Sequence, residues 1–173
     1  MNVTPLLETE RLNLRAPKPS DLDVYLAFYA VSDATIGGYR GGRDDIDVAA
    51  ILNRDIRHWQ THGFGIFLLW TKAGGAFAGG TGLCLPEGWP SSELTWWLMP
   101  ETRGTGYASE ASRAVMAWAY GTLGWAIVET WMRDENAAAR RLAQRLGGNM
   151  ARRETFPDGI TRDVFAFPEN APA

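Results

Sequence analysis

A strand, a glycine turn and a helix follow one another between residues 94 and 119, and no other stretch restricts the fold as much. Leu94-Thr95-Trp96-Trp97-Leu98-Met99 is aromatic and apolar, and reads as a buried strand. Ala108, Ala111, Val115, Trp118 and Ala119 recur at helical spacing. Between them, Gly104 and Gly106 allow a positive φ and leave no Cβ to obstruct an approaching group. A helix that opens at such a turn presents unpaired N–H groups and the positive end of its dipole, which together suit a phosphate. Arg103 adds a fixed positive charge at the same place. The plain alternative is an ordinary loop before an ordinary helix.

Two familiar phosphate loops do not fit. A Walker loop ends in Gly-Lys-Ser/Thr, whereas Gly106 is followed by Tyr107. A dinucleotide fingerprint has a third glycine where this chain has Ser109. Glu129 stands at a suggestive distance for that motif, but too little chain follows Gly104 to build its fold. A third pattern fits. Arg103-x-x-Gly106-x-Ala108 matches (Gln/Arg)-x-x-Gly-x-(Gly/Ala), and resembles the GNAT superfamily of acyl-CoA-dependent N-acetyltransferases. The run from Glu93 to Ala111 is similar to the branch that includes the ribosomal-protein N-terminal acetyltransferases, as is Leu7-Glu8-Thr9-Glu10-Arg11-Leu12-Asn13-Leu14-Arg15 near the start.

The remaining chain is consistent with one domain. Its 173 residues suffice for a real core. The net charge of −3 argues against non-specific nucleic-acid binding and leans towards a cationic substrate. One cysteine, Cys84, excludes an internal disulfide framework and a cysteine-based zinc site. His58 and His62 share a helical face, but no acidic cluster completes a metal site, so they read as surface or pocket residues. Neither a basic-then-apolar leader nor a membrane-length apolar run is present, so a cytoplasmic location is expected.

In order, residues 10–16 alternate as a half-buried strand, and a helix capped by Ser20 carries Leu22, Tyr25, Leu26 and Tyr29. Gly37 to Arg43 is glycine-rich; the resemblance makes it a wall of the acceptor side, and a surface loop is the plain reading. Asp47 to His62 reads as a helix ended by Gly63. Strands follow at 66–71, 77–85 and 93–99, and Gly79, Gly80 and Gly82 mark bulges or close backbone approach. After the central helix come a strand at 126–132, a helix at 136–146, and a hairpin turned at Pro157-Asp158-Gly159. This order matches the α/β GNAT fold, a mixed and mostly antiparallel sheet flanked by helices, over residues 1–173.

The resemblance implies specific roles. Acetyl-CoA would be the co-substrate, with no metal. Its pyrophosphate would lie on the N–H groups of Arg103, Gly104, Thr105, Gly106, Tyr107 and Ala108. A strand N–H near Leu98 or Met99 would face the oxyanion, and Asn136 would contact the pantetheine arm, though Asn136 also suits a helix N-cap. Glu93 matches an acidic position of the branch and would take the proton of the attacking amine; a solvated strand-edge charge is its alternative. The chain departs from the family at Ala139, Ala143 and Gly148, where a Ser, a Tyr often cited as general acid, and an aromatic are usual. The acceptor would be a small amine or a protein N-terminus, with no nucleic acid or membrane partner, and a homodimer stays open. A non-catalytic acyl-CoA-binding or sensing module is the competing reading, and an acyl donor other than acetyl-CoA is a third.

Overall fold

The computed structural model describes residues 4–32 and 42–169. Eight strands and four helices appear among the described residues. The chain opens with a short hairpin, β1 (Leu6–Glu8) and β2 (Leu12–Arg15), of which only the second strand was legible in the sequence. A 3₁₀ turn at Pro19–Asp21 leads into α1 (Leu22–Val31). Ser20 does not cap this helix. Asp21 holds the corner instead, accepting from the Lys18 N–H at 2.8 Å and from both terminal nitrogens of Arg15 at 2.8 and 2.7 Å. A carboxylate can take that fork of donors, which a serine hydroxyl cannot.

The helix α2 (Asp45–His62) begins two residues earlier than its apolar pattern suggests, because Asp44 caps it by accepting from the Asp47 N–H. Gly63 closes it in the left-handed region, at φ 72°. Then come β3 (Ile66–Thr71), β4 (Phe77–Cys84) and β5 (Glu93–Leu98), the central helix α3 (Tyr107–Gly121), β6 (Val128–Met132), α4 (Ala137–Arg145), and the closing pair β7 (Asn149–Thr155) and β8 (Thr161–Phe167). The expected glycine-rich segment at 37–43 lies outside the described residues except for Gly42 and Arg43.

The strands form two sheets, ordered β1-β2-β3-β4-β5 and β6-β8-β7, and every ladder is antiparallel. The fold is therefore α/β with antiparallel sheets flanked by helices. No ladder joins β5 to β6, although the two edges pack beside each other.

Two large apolar clusters hold this arrangement, with a small third one of Trp131, Phe156 and Val164 on the second sheet. Leu12, Leu14, Phe67, Leu69, Leu83 and Leu94 turn to one face of the first sheet and pack against Ala111, Val115, Trp118 and Ala119 of α3. The same cluster reaches Val128 and Met132 of β6, Leu142 and Ala143 of α4, and Phe165 and Phe167 of β8. One core thus spans both sheets. On the other face Ile66, Leu68, Trp97 and Met99 meet Tyr25, Phe28, Val48, Ile51 and Leu52 of α1 and α2. Cys84 is half-buried against this second cluster.

The glycines of β4 are needed for close approach. A Cβ on Gly79 would sit 2.2 Å from the Trp97 carbonyl oxygen, and one on Gly82 would sit 2.1 Å from that of Gly65. Both are backbone atoms that cannot swing aside. Gly82→Ala should therefore destabilise the fold by about 1–3 kcal/mol through overpacking, read as a lower urea midpoint.

His58 is neither a ligand nor a loose surface group. Its Nε2 accepts from the Leu85 N–H at 3.0 Å, which leaves Nδ1 protonated and donating to the Phe64 carbonyl at 2.8 Å. The ring is thus held neutral, stapling α2 to the ends of β3 and β4. Burial, despite the Phe64 contact, pushes its pKa below the ordinary imidazole value. A lowered His pKa means that the unfolded chain gains a proton first, so the staple's stability is full above pH ~6.5 and declines as pH falls through the native value. Unfolding midpoints at pH 7 and pH 5.5 should show a decline in the wild type that shrinks in His58→Gln; equal declines would remove His58 as its source.

Candidate active site

The glycine turn is built by its own backbone. Thr102 donates its hydroxyl to the Ala78 carbonyl at 2.8 Å, tying the 3₁₀ turn Pro100–Thr102 to β4. Gly104 and Gly106 take φ of 74° and 86°, which side chains other than hydrogen tolerate poorly. Gly106 is the N-cap of α3. The Glu110 N–H makes the first backbone bond of the helix, to the Gly106 carbonyl at 3.0 Å. The preceding N–H groups of Tyr107, Ala108 and Ser109 have no acceptor within the helix. Arg103 is exposed, and its own N–H is spent on the Pro100 carbonyl at 3.3 Å. The cation of this residue, rather than its amide, is what the turn can offer an anion.

An adjoining clamp pins the turn to the first hairpin. Glu110 accepts from the Thr9 hydroxyl at 2.6 Å, from the Arg11 N–H at 2.8 Å and from Arg11 Nε at 2.7 Å. Burial works against ionisation here, but these donors hold the carboxyl below its usual pKa. Arg11 also donates to the Thr105 carbonyl at 2.9 Å and lies over the Tyr107 ring, 4.6 Å from its centroid. Tyr107 is half-buried against the main core beneath that guanidinium, a packing role. Thr9, Arg11 and Glu110 were missed as site residues in the sequence. Thr9 and Arg11 lie in the early segment that resembles the family, but they share no local pattern with Glu110.

β5 runs from the turn along the gap between the sheets. The Met99 N–H donates to the Ala78 carbonyl at 2.9 Å, so it is unavailable to a ligand. Neighbouring residues of an antiparallel strand alternate in direction. The regular register of β4 with β5 then turns the N–H and C=O groups of Leu94, Trp96 and Leu98 away from β4, to the side on which β5 has no ladder partner. The Leu83 N–H, which reaches the Gly65 carbonyl beside β3, fixes the same phase from the opposite edge.

A cavity of about 50 Å³ lies in the gap, lined by Glu93, Thr95 and Trp96 of β5, Thr130 and Trp131 of β6, and Asn136 and Ala139 where α4 begins. The structure thus brings Glu93 and Asn136 to one cavity, and adds Thr130 and Trp131, which strand patterning could not single out. Asn136 is the N-cap of α4, with Oδ1 accepting from the Ala139 N–H at 3.1 Å. Ala143 is fully buried in the main core. Gly148 is bare for a packing reason: a Cβ there would lie 2.8 Å from both the Ala143 carbonyl oxygen and Phe167 Cε1. Two of the three departures from the family pattern, Ala143 and Gly148, therefore meet in one region, with the Phe167 ring occupying space that a side chain at 148 would need.

A family model described as an acetyltransferase (GNAT) domain matches residues 11–149, which include the turn, β5 and Asn136. The chain belongs to the GNAT acetyltransferase family. An acetyltransferase from Agrobacterium tumefaciens is 28% identical, with a TM-score of 0.84 over 95% of each chain. The fold is also shared with a GNAT-family acetyltransferase from Bacillus anthracis, at 17% identity and TM-score 0.77 over 96% of this chain and 99% of that one. A Salmonella typhimurium acetyltransferase that modifies the N-terminal serine of 50S ribosomal subunit protein L7/L12 is 15% identical, with TM-score 0.79 over 94% and 98% of the two chains.

The cap on α4 can be separated from any ligand contact by this GNAT chain. Asn136→Ala should lower stability by about 1 kcal/mol, and Asn136→Ser should recover most of it. Equal melting temperatures for Asn136→Ala and the wild type would show that the cap contributes nothing.

Proposed function

We propose that this chain moves an acetyl group from acetyl-CoA to a primary amine, by direct attack of the amine on the thioester. The observation that carries the reading is the gap between β5 and β6, which joins an anion-ready helix start at one end to a carboxylate at the other. A pyrophosphate suits the N–H groups at the opening of α3 and the Arg103 side chain. The outward N–H and C=O groups of β5 repeat every two residues, ~6.6 Å, and suit the two amides of a pantetheine arm laid beside the strand as an added strand would be. The Nδ2 of Asn136, whose Oδ1 is occupied by the cap, serves the same arm.

The oxyanion donor must lie close to the reacting carbon together with the base. Glu93 and Leu98 stand at opposite ends of β5, roughly 16 Å apart on an extended strand. One thioester cannot touch both. Leu98 therefore belongs to the arm near the phosphates, and the outward N–H groups of Leu94 and Trp96 are the candidates for the oxyanion.

At neutral pH an alkyl amine is mostly protonated, with pKa near ~10, and an α-amine near ~8. Glu93 takes that proton, directly or through water. The nitrogen lone pair then forms the C–N bond, and the thiolate leaves with the electrons of the C–S bond once the oxyanion collapses. A thiol of ordinary pKa, about 8.5, leaves with only water as its proton source. This suits a chain whose Ala143 offers no phenol. The cavity beside Glu93 has room for a slim amine, and a protein N-terminus, as in the Salmonella relative, or a small unbranched amine fits that shape.

The same Ala143 is the feature that favours a non-catalytic acyl-CoA-binding module, and thiol release across a panel of amines distinguishes the two. Under the transfer reading, Glu93→Gln should lower kcat by roughly 10²–10⁴-fold with little change in acetyl-CoA affinity. Part of the rate should return at high pH, where free amine is abundant. Normal turnover of Glu93→Gln at pH 7 would eliminate Glu93 as the base.

A further inference from the structure

Arg11 arrives at the glycine turn from a different part of the chain, the corner between β1 and β2. Its guanidinium is fixed on three sides: Nε on Glu110 at 2.7 Å, one terminal nitrogen on the Thr105 carbonyl at 2.9 Å, and its plane over Tyr107. The other terminal nitrogen points along Gly106, 3.3 Å from where a Cβ at that residue would be. It makes no hydrogen bond within the protein among the described residues. A planar fork held in this way loses little freedom when it takes a further acceptor.

Charge makes the arrangement purposeful. Glu110 sits in the first turn of α3, where an anionic ligand would meet a like charge. Thr9 and Arg11 draw the carboxylate sideways and neutralise it, and leave the helix opening positive. We infer that Arg11 is a phosphate-binding residue of the acetyl donor, its outer terminal nitrogen donating to the pyrophosphate that the N–H groups of Tyr107, Ala108 and Ser109 receive. This rests on the reading that coenzyme A lies along β5, and extends its site to a hairpin remote in sequence. Gly106 is then required for a second reason beyond its φ, since any side chain there would press on the guanidinium.

The test is calorimetric titration of the full chain with coenzyme A, dephospho-coenzyme A and pantetheine, at two salt concentrations. Arg11→Gln removes the charge, and Arg11→Lys keeps a charge without the fork, so the inference stays testable even if one variant folds poorly. Both should weaken coenzyme A and dephospho-coenzyme A roughly 10- to 100-fold, the range for a charge-assisted hydrogen bond. Pantetheine, which has no phosphate, should bind the variants and the wild type alike. Arg11→Gln should also flatten the salt dependence of coenzyme A binding. Equal losses for all three ligands would mark Arg11 as a structural clamp only and overturn the inference. So would a loss confined to coenzyme A, which would move the contact to the 3′-phosphate. Wild-type protein that binds none of the three sinks the acetyl-transfer reading and this inference together, whereas wild-type binding with unaltered variants sinks the inference alone.

Discussion

Two strand edges that face each other without pairing govern this molecule. A strand edge carries backbone donors and acceptors that water or a partner must satisfy. In most sheets the neighbouring strand does so. Here β5 and β6 are brought together by a shared core, yet they belong to separate ladders. The outward groups of Leu94, Trp96 and Leu98 therefore have no ladder partner across the gap. The main core sets the position of both edges. α3 lies against both sheets, and α4 begins at the gap with Asn136 already locked by its own cap.

The packing on either side explains why β4 carries so few side chains. Its glycines let β3 and β5 close in, and the Trp97 ring lies over Gly80, where a Cβ would be 2.6 Å from it. Trp97 in turn meets Phe28 at 4.2 Å and Tyr25 at 6.0 Å between ring centroids, so α1 is seated through β5 itself. A strand packed on both faces, against Phe28 and Tyr25 on one and the main core on the other, has little freedom to shift. Main-chain donors cannot adjust by rotating, so the direction of the β5 N–H groups is fixed by this packing.

Elements that rest on local periodicity were legible in the sequence. β3 has the bounds its apolar run suggests, and α2 ends at the expected glycine. The glycine turn was legible for the same reason, since strand, turn and helix are contiguous. β1 was not, because three residues, of which only Leu7 packs on the core, are too few to show a pattern. Phe28 was absent from the expected stripe of α1, though it is almost fully buried. The division into two sheets was also hidden: hydrophobic patterning reports burial and is silent on which strand lies next door. The clamp on Glu110 joins residues about a hundred positions apart, and no window along the chain contains both halves. Glu93 and Asn136 were picked out by resemblance, and patterning alone would have left each a strand-end charge and a helix cap.

The order of strands in the second sheet has a temporal consequence. β8 lies between β6 and β7, so the last strand among the described residues is the central one of its sheet. Until residues 161–167 have been synthesised, β6 has neither its ladder partner nor the Phe165 and Phe167 rings that seat it on the common core. One wall of the gap is thus a late arrival. During synthesis the glycine turn and β5 are complete before the strand that pairs with the opposite edge has been made. Loss of a few residues from within β8 would deprive both β6 and β7 of their ladder partner at once.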